Sequence, residues 1–187
     1  MPLISVVTGC FNEEENVAAV HEEVKRIFAG LPGYAYEHIF IDNASRDRTV
    51  EKLRDIARGD ANVRVIVNAR NFGTVRSPYY GLLQTRGDAA MTLAADLQDP
   101  PALIPEFIRR WEQGYKIVAA VKSRSDETPV MYFIRKNYYR LVGRLAEVEL
   151  LKDFNGFGLM DRQVIDILRR INDPYPYLRG LLADIGK

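Results

Sequence analysis

At 187 residues the chain has room for one ordinary hydrophobic core and hardly for two, and 47% hydrophobic against 27% charged residues places it among folded globular proteins. Lys and Arg number 26 and Asp and Glu 25, so nothing global draws the chain to nucleic acid and any basic function must be local. The lone Cys10 excludes an internal disulfide framework, His21 and His38 have no zinc-type spacing, no apolar run approaches the ~18 residues of a membrane span, and no basic-then-apolar leader opens the chain.

The apolar run Leu3 to Thr8 predicts a buried strand starting almost at residue 1, with Gly9 to Asn12 as the turn after it. Cys10 in that turn reads as small packing and not as a nucleophile. A helix is expected to open on Glu13-Glu14-Glu15-Asn16 and run to about Ala29, with Val17, Val20, Val24, Ile27 and Phe28 at helical spacing. Acids in a first turn suit the positive helix end; Glu13 reads equally as a group that meets a nucleotide.

Leu31-Pro32-Gly33 breaks the chain before a second strand, Glu37 to Ile41, which ends in Asp42-Asn43-Ala44-Ser45. Asp47 to Ala57 reads as a helix with Val50, Leu53 and Ile56 inward. Val63 to Val67 is a third strand, and the polar loop Asn68 to Gly73 opens a helix from about Val75 to Thr85. Ala89 to Leu93 is a fourth strand. It ends in the acidic stretch Asp96-Leu97-Gln98-Asp99, followed by Pro100-Pro101, which preset a helix start. Pro105 to Gln113 reads as a helix closed by Gly114, and Lys116 to Val121 as a fifth strand.

Strand and helix alternating through residue 121 imply right-handed crossovers and a mainly parallel α/β sheet. The polar strand ends at Asp42, Asn68 and Asp96 then share the edge where such sheets bind ligands. Asp96 and Gln98 offer hard oxygen ligands for Mg²⁺ or Mn²⁺ carrying a phosphorylated substrate; Asp99 either joins them or caps the following helix. With no Walker loop and no GxGxxG, a phosphate-bearing donor would be held through a metal and not through a glycine cradle.

After residue 121 the composition changes. Lys122 to Pro129 is a polar loop. Val130 to about Ala146 fits one helix, with Val130, Ile134, Tyr138, Leu141 and Leu145 on one stripe and Lys136, Arg140 and Arg144 on another. That acid-free ridge, beside Met131, Tyr132 and Phe133, reads either as a solvated face or as a surface for a membrane or a lipid phosphate. In Lys152 to Arg162, Gly156 and Gly158 would allow a ligand close to the backbone. Asp161 is expected to cap a helix Arg162 to Ile171, Asp173 to Pro176 breaks it, and Tyr177 to Gly186 reads as a short amphipathic helix.

Four stretches carry a resemblance that covers nearly the whole chain. Val6 to Asn16 is similar to the opening strand and "YNEEEN" turn of family 2 glycosyltransferases, Ile41 to Thr49 to their "DDGSxDGT", and Arg70 to Gly73 to their "RNFG". Asp96 to Pro101 resembles the "DADLQDPP" of the polyprenyl-phosphate subgroup, which includes dolichyl-phosphate mannose synthase and bacterial undecaprenyl-phosphate sugar transferases. The resemblance implies a GT-A fold in a single catalytic domain, with 1–121 as the nucleotide-binding half and 122–187 as the acceptor half. It implies inverting transfer from a nucleotide-diphosphate sugar, a UDP-sugar for preference, to a polyprenyl phosphate.

By the same resemblance Asp42 would meet the base, with Asn43 also on the donor. Thr8, Cys10, Phe11, Glu13, Arg70, Asn71, Gly73 and Ala95 would line the donor. Asp96 and Gln98 would hold Mg²⁺ or Mn²⁺ on the diphosphate, Arg124 would sit by the donor phosphates, and Arg135, Tyr139 and Arg179 would serve the acceptor. Asp96, Arg124 and Asp153 form the expected catalytic set, Asp153 as base should the acceptor be a hydroxyl. Members usually continue into transmembrane helices after an Arg-Gly pair matching Arg179-Gly180. The chain stops where those would begin and reads as truncated, which implies a membrane-surface partner and the cytoplasmic face of the inner membrane. A homo-oligomer stays open, as do transfer to a glycan hydroxyl and a nucleotide-sugar-binding module with little catalysis. Three positions depart from the family pattern: Ala94 and Gly156 stand where it has Asp, and Asn43 replaces the second Asp of "DDGS".

Overall fold

A computed structural model describes residues 1–121 and 154–186. In chain order the elements are β1 (Leu3–Cys10), α1 (Val17–Ala29), β2 (Ala35–Asp42), α2 (Thr49–Gly59), β3 (Val63–Val67), α3 (Gly73–Leu83), β4 (Ala89–Thr92), α4 (Ile104–Glu112), β5 (Ile117–Val121), β6 (Phe154–Asp161), α5 (Arg162–Ile171) and α6 (Leu178–Ile185). A 3-10 turn at Pro101–Leu103 leads into α4. The strands form one sheet in the order β3-β2-β1-β4-β6-β5.

The period-2 alternation of a strand divides the apolar side chains between two cores. Ile4, Val6 and Cys10 of β1, with Phe40 of β2 and Met91 of β4, face one side and pack against Val17, Val20 and Val24 of α1, Leu53 of α2 and Ile104 and Phe107 of α4. Val7, Ile39, Ile41 and Ala90 face the other and pack against Tyr79 and Leu82 of α3, Val164, Ile165 and Leu168 of α5, and Leu182 of α6. A sheet covered on both faces explains why its strands read as near-continuous apolar runs.

β1 pairs in parallel with β2 on one side (Cys10 opposite Asp42) and with β4 on the other (Val7 opposite Thr92). The chain therefore winds outward in both directions from β1, and a crevice opens where β1 and β4 end.

Three expectations need correction. First, Gly9 and Cys10 belong to β1, not to a turn. Second, Glu13 to Glu15 precede α1, whose first turn holds no acid. The Glu13 carbonyl accepts from the Asn16 and Val17 N–H groups at 3.0 and 3.1 Å, a turn that ends the loop before the helix starts. Third, while the sheet is mainly parallel as expected, the stretch holding Gly156 and Gly158, read as room for a ligand, adds a strand to it. The glycine-interrupted stretch Phe154–Asp161 is a strand lying antiparallel between β4 and β5, so β5 never touches β4. Gly158 makes that insertion possible: a Cβ there would stand 2.3 Å from the Val118 carbonyl oxygen of β5. Its missing side chain serves strand pairing and not a ligand.

Asp161 caps α5 as expected, accepting from the Gln163 N–H at 2.9 Å. Its carboxylate also takes Trp111 Nε1 at 2.7 Å and Lys116 Nζ at 3.2 Å, tying α4 and β5 to the start of α5. Burial opposes its charge, but those hydrogen bonds outweigh burial and hold its pKa below the usual value. The expected loop 122–129 and helix 130–146 lie outside the described residues, as do Arg124, Arg135, Tyr139 and Asp153. Among the described residues no helix is long and apolar enough to cross a membrane.

Candidate functional site

A cleft of ≈ 710 Å³ opens at the carboxyl ends of β1 and β4. Val7, Gly9, Cys10, Phe11 and Glu13 come from β1 and its loop, Thr92 to Asp96 and Asp99 from β4 and its loop, and Asn43 from the end of β2. Thr74, Val75, Pro78 and Tyr79 of α3 form one side; Gly156, Phe157, Tyr177, Leu178 and Arg179 close the other. Of the residues singled out in the sequence, Cys10, Phe11, Glu13, Asn43, Ala95, Asp96 and Arg179 meet here.

The wall at β1 and β2 is held by side-chain hydrogen bonds between their two following loops. Ser45 Oγ accepts from the Asn12 N–H at 2.9 Å, while Asn12 Oδ1 accepts from the Arg46 N–H at 2.9 Å. Thr49 Oγ1 accepts from the Glu13 N–H at 2.8 Å, and Asp47 takes the Thr49 N–H at 3.0 Å and the Glu14 N–H at 3.2 Å. Asn12 and Ala44 adopt the left-handed conformation, φ 57° and 62°, that these reciprocal bonds require. So the acidic run before α1 is spent on loop geometry: Glu14 accepts from the Arg48 N–H at 2.9 Å, and Glu13 from Asn16 Nδ2 at 2.7 Å.

This geometry redirects several expected ligand contacts. Asp42 is fully buried, and both its oxygens are engaged by Ser45, through the N–H at 3.0 Å and through the hydroxyl. Its carboxylate shapes the end of β2 and does not line the cleft. Thr8 is also fully buried, its hydroxyl 3.0 Å from His38 Nε2 on the core side of β1. Asn43, one residue on from Asp42, does reach the cleft wall, but its amide is occupied. Its Oδ1 accepts from the Phe72 N–H and from Asn68 Nδ2, each at 3.1 Å, and its Nδ2 donates to the Gly73 carbonyl at 3.1 Å.

Asn43 thereby brackets the loop before α3 to the end of β2. Arg70, Asn71 and Gly73 stand on that loop outside the cleft lining: Arg70 lies over the Phe72 ring at 4.1 Å, and Asn71 Oδ1 accepts from the Gly73 N–H at 2.7 Å. Cys10 lines the cleft as a neutral group. Burial, then the Asp42 and Glu13 carboxylates, push its thiol far above the ordinary range, which rules out a resting thiolate nucleophile.

The wall at β4 is different in kind. Asp96, Leu97 and Gln98 are exposed, Leu97 stands at φ 57°, and Asp96 Oδ1 accepts the Gln98 N–H at 3.1 Å. Asp96 and Asp99 face the cleft, whereas Gln98 is not part of its lining. The residues at the N-cap positions of the 3-10 turn and of α4, Pro100 and Leu103, make no side-chain cap bond. Ala94 lines the cleft where a carboxylate was expected.

Gly156 of β6 also lines it, next to the end of β4, with φ 106° and its carbonyl accepting from Thr92 Oγ1 at 2.9 Å. Sequence reading missed the α3 contribution altogether. Its only signal was the i, i+4 pair Thr74 and Pro78 on one helix face.

Among the described residues the lining holds three carboxylates, Glu13, Asp96 and Asp99, against one cation, Arg179. These groups give that part of the lining an excess of negative charge. Asp96 and Asp99 are hard oxygen donors on a single loop, and a Mg²⁺-type ion is usually bound through one or two carboxylates with substrate phosphates completing the shell. The donor set fits such an ion shared with a phosphorylated ligand. Among the described residues no group of three His, Cys, Asp or Glu suited to a metal occurs.

Comparison with known proteins bears on this site. The family model described as Glycosyl transferase family 2 matches residues 5–168. An uncharacterized glycosyltransferase of Bacillus subtilis, YkcC, is 34% identical over 97% of the chain and 56% of its own length. The bactoprenol glucosyl transferase of Shigella phage SfX is 30% identical over 98% of the chain and 60% of its own length. Among solved structures, glucosyl-3-phosphoglycerate synthase from Mycobacterium tuberculosis in complex with UDP superposes with a TM-score of 0.60 at 25% identity, covering 87% of this chain and 58% of that one. The chain thus spans under two thirds of the length of the relatives it matches.

Proposed function

Since the chain belongs to glycosyl transferase family 2 and has the GT-A fold, we propose that it moves a sugar, with inversion, from a UDP-sugar to a polyprenyl phosphate. The observation that carries this reading is the meeting of Asp96 and Asp99 with Arg179 across one cleft at the β1–β4 switch point. The phage relative's bactoprenol acceptor and the UDP of the mycobacterial structure agree with the two substrates.

An acceptor phosphate is already an anion at neutral pH, so no strong base is required. The protein has to orient it, offset charge repulsion and favour the departing diphosphate. Asp96, with Asp99 and a contribution from Gln98, would hold Mg²⁺ or Mn²⁺, which when bound supplies charge neutralisation on that diphosphate. Arg179 attracts the acceptor phosphate at the opposite end of the cleft. Phe11 and the Asn43-bracketed loop bound the nucleoside end, with Cys10, Glu13 and Ala95 beneath it. Arg124 by the donor phosphates, and Arg135 and Tyr139 toward the acceptor, complete the proposal. A lipid acceptor also places the protein at a membrane surface, on its cytoplasmic side.

Calorimetry with UDP, with and without Mn²⁺, followed by turnover with a dispersed polyprenyl phosphate, tests the reading. UDP binding that needs the ion, followed by turnover, supports it. Ion-dependent binding without turnover would favour a nucleotide-sugar-binding module, a reading that Ala94 in the cleft wall makes worth separating. Turnover onto a glycan hydroxyl with indifference to lipid would move Asp153 into the role of base.

A further inference from the structure

Beside the cleft mouth, cations and aromatic rings alternate in a stack that the transfer chemistry does not use. The Arg70 guanidinium lies 4.1 Å from the Phe72 ring centroid. Arg76 lies 5.8 Å from that ring and 4.6 Å from the ring of Tyr175. Phe72, Arg76 and Tyr80 are spaced i, i+4, i+8, one stripe running down α3 from its N-cap.

The stack joins that stripe to the segment between α5 and α6, where the Tyr175 N–H donates to Asp173 Oδ1 at 2.8 Å. The groups around it are exposed to a degree unusual for their kind: Tyr175 is 75% exposed, Tyr177 54%, Val75 52% and Tyr80 50%. Val75 and Tyr177 also line the cleft, so the patch is continuous with the entrance.

We propose that this rim, built on Arg70, Arg76, Val75, Tyr80, Tyr175 and Tyr177, docks on an anionic phospholipid bilayer and sets the cleft mouth against it. Tyrosines combine an apolar ring with a polar tip and are enriched at membrane–water interfaces. Arginines among them add attraction to anionic head groups. Stacking on Phe72 and Tyr175 keeps the Arg76 cation at the surface in a defined position. A glycan-binding platform would use the tyrosines but has no need of the arginine charge. A protein interface of this size would be an aromatic core with charge kept to its edge, whereas here cation and ring alternate. The inference rests on the reading that the acceptor is a lipid phosphate, yet the two can fail separately, because the test contains neither donor nor acceptor.

The test is co-sedimentation of the full chain with vesicles of phosphatidylcholine, alone or with about a third phosphatidylglycerol. Expected is binding to the anionic vesicles only, weakened in about 1 M salt. Arg76→Gln should lower partitioning about fivefold, and Tyr175→Ser should lower it further, including the part that survives high salt. Both variants should keep the wild-type melting temperature and the wild-type affinity for UDP. The proposal is overturned if the wild type ignores anionic vesicles, if both variants bind them like the wild type, or if soluble glycan competes the binding away.

Discussion

The two walls of the cleft are built on opposite plans. At β1 and β2, nearly every polar side chain of the two loops is paired with its neighbour: Asn12 with Ser45 and Arg46, Thr49 with Glu13, Asp47 with Glu14 and Thr49, Asp42 with Ser45. At β4, Asp96, Leu97 and Gln98 are exposed, and Asp96 Oδ1 accepts from the Gln98 N–H two residues on. The first wall is set by bonds between its own loops; the second bears the carboxylates proposed to hold the metal ion. Stability and activity should therefore separate along this line, because the residues that stabilise one wall are not those that meet substrate.

The largest effect should fall on the open wall. Asp96→Ala should reduce metal-dependent turnover by ~10³-fold, the scale of losing one main electrostatic contact to a developing charge, and leave the melting temperature unchanged because the side chain is exposed. Unaltered turnover in that variant would remove the proposed metal position. Asp42→Ala tests the other wall. It strips the Ser45 N–H and hydroxyl of their acceptor inside a buried loop junction, and unfolding in denaturant should show a loss of ~3 kcal/mol. Should this variant keep its stability but lose UDP affinity, Asp42 would be a ligand contact after all.

A third expectation concerns pH and the foundation beneath the closed wall. His38 sits under β1 against Thr8, its ring 6.0 Å from that of His21, and the Nδ1 atoms of both are buried without a hydrogen-bond partner. Burial, followed by repulsion from His21, lowers the His38 pKa from 6.5 to about 3. The folded state thus keeps His38 neutral while the unfolded state takes up a proton below pH 6.5. Stability is complete above that pH and falls as pH drops toward the folded value. Denaturant titrations at pH 6.5 and near pH 5 should differ by ~2 kcal/mol, and His38→Gln should flatten the difference.

The smallest effect should be a gain. Ala44 is held at φ 62°, where an L side chain is strained. Ala44→Gly should raise stability by ~1 kcal/mol with no change in UDP binding, visible as a small rise in melting temperature.

Much of this arrangement was legible in the residues. Apolar runs of strand length, each followed by a polar or glycine-bearing turn and an amphipathic stretch, mark β1 to β5 and α1 to α4, because a doubly covered sheet needs both of its faces apolar. Asp161 before Arg162-Gln163-Val164 announced its cap. The acidic end of β4 was identifiable as a candidate site because neither helix capping nor core packing accounts for Asp96. β6 was hidden, since Gly156 and Gly158 erase the alternation that signals a strand, and its pairing with β4 and β5 rests on contacts far apart in sequence.

Neighbouring residues at a strand's end show where local reading stops. Asp42 and Asn43 look alike in sequence, yet successive side chains leave a strand on opposite faces, and only the packing of the β2–α2 loop against the β1–α1 loop settles which of them faces the cleft. Composition and periodicity determined the layers, the ligand edge and the chemistry of its donors, because those follow from local burial and spacing. Assembly of the chain decided which carboxylates stay open and which are consumed in holding loops together, because a hydrogen bond between two loops exists only once both strands beneath them are in register.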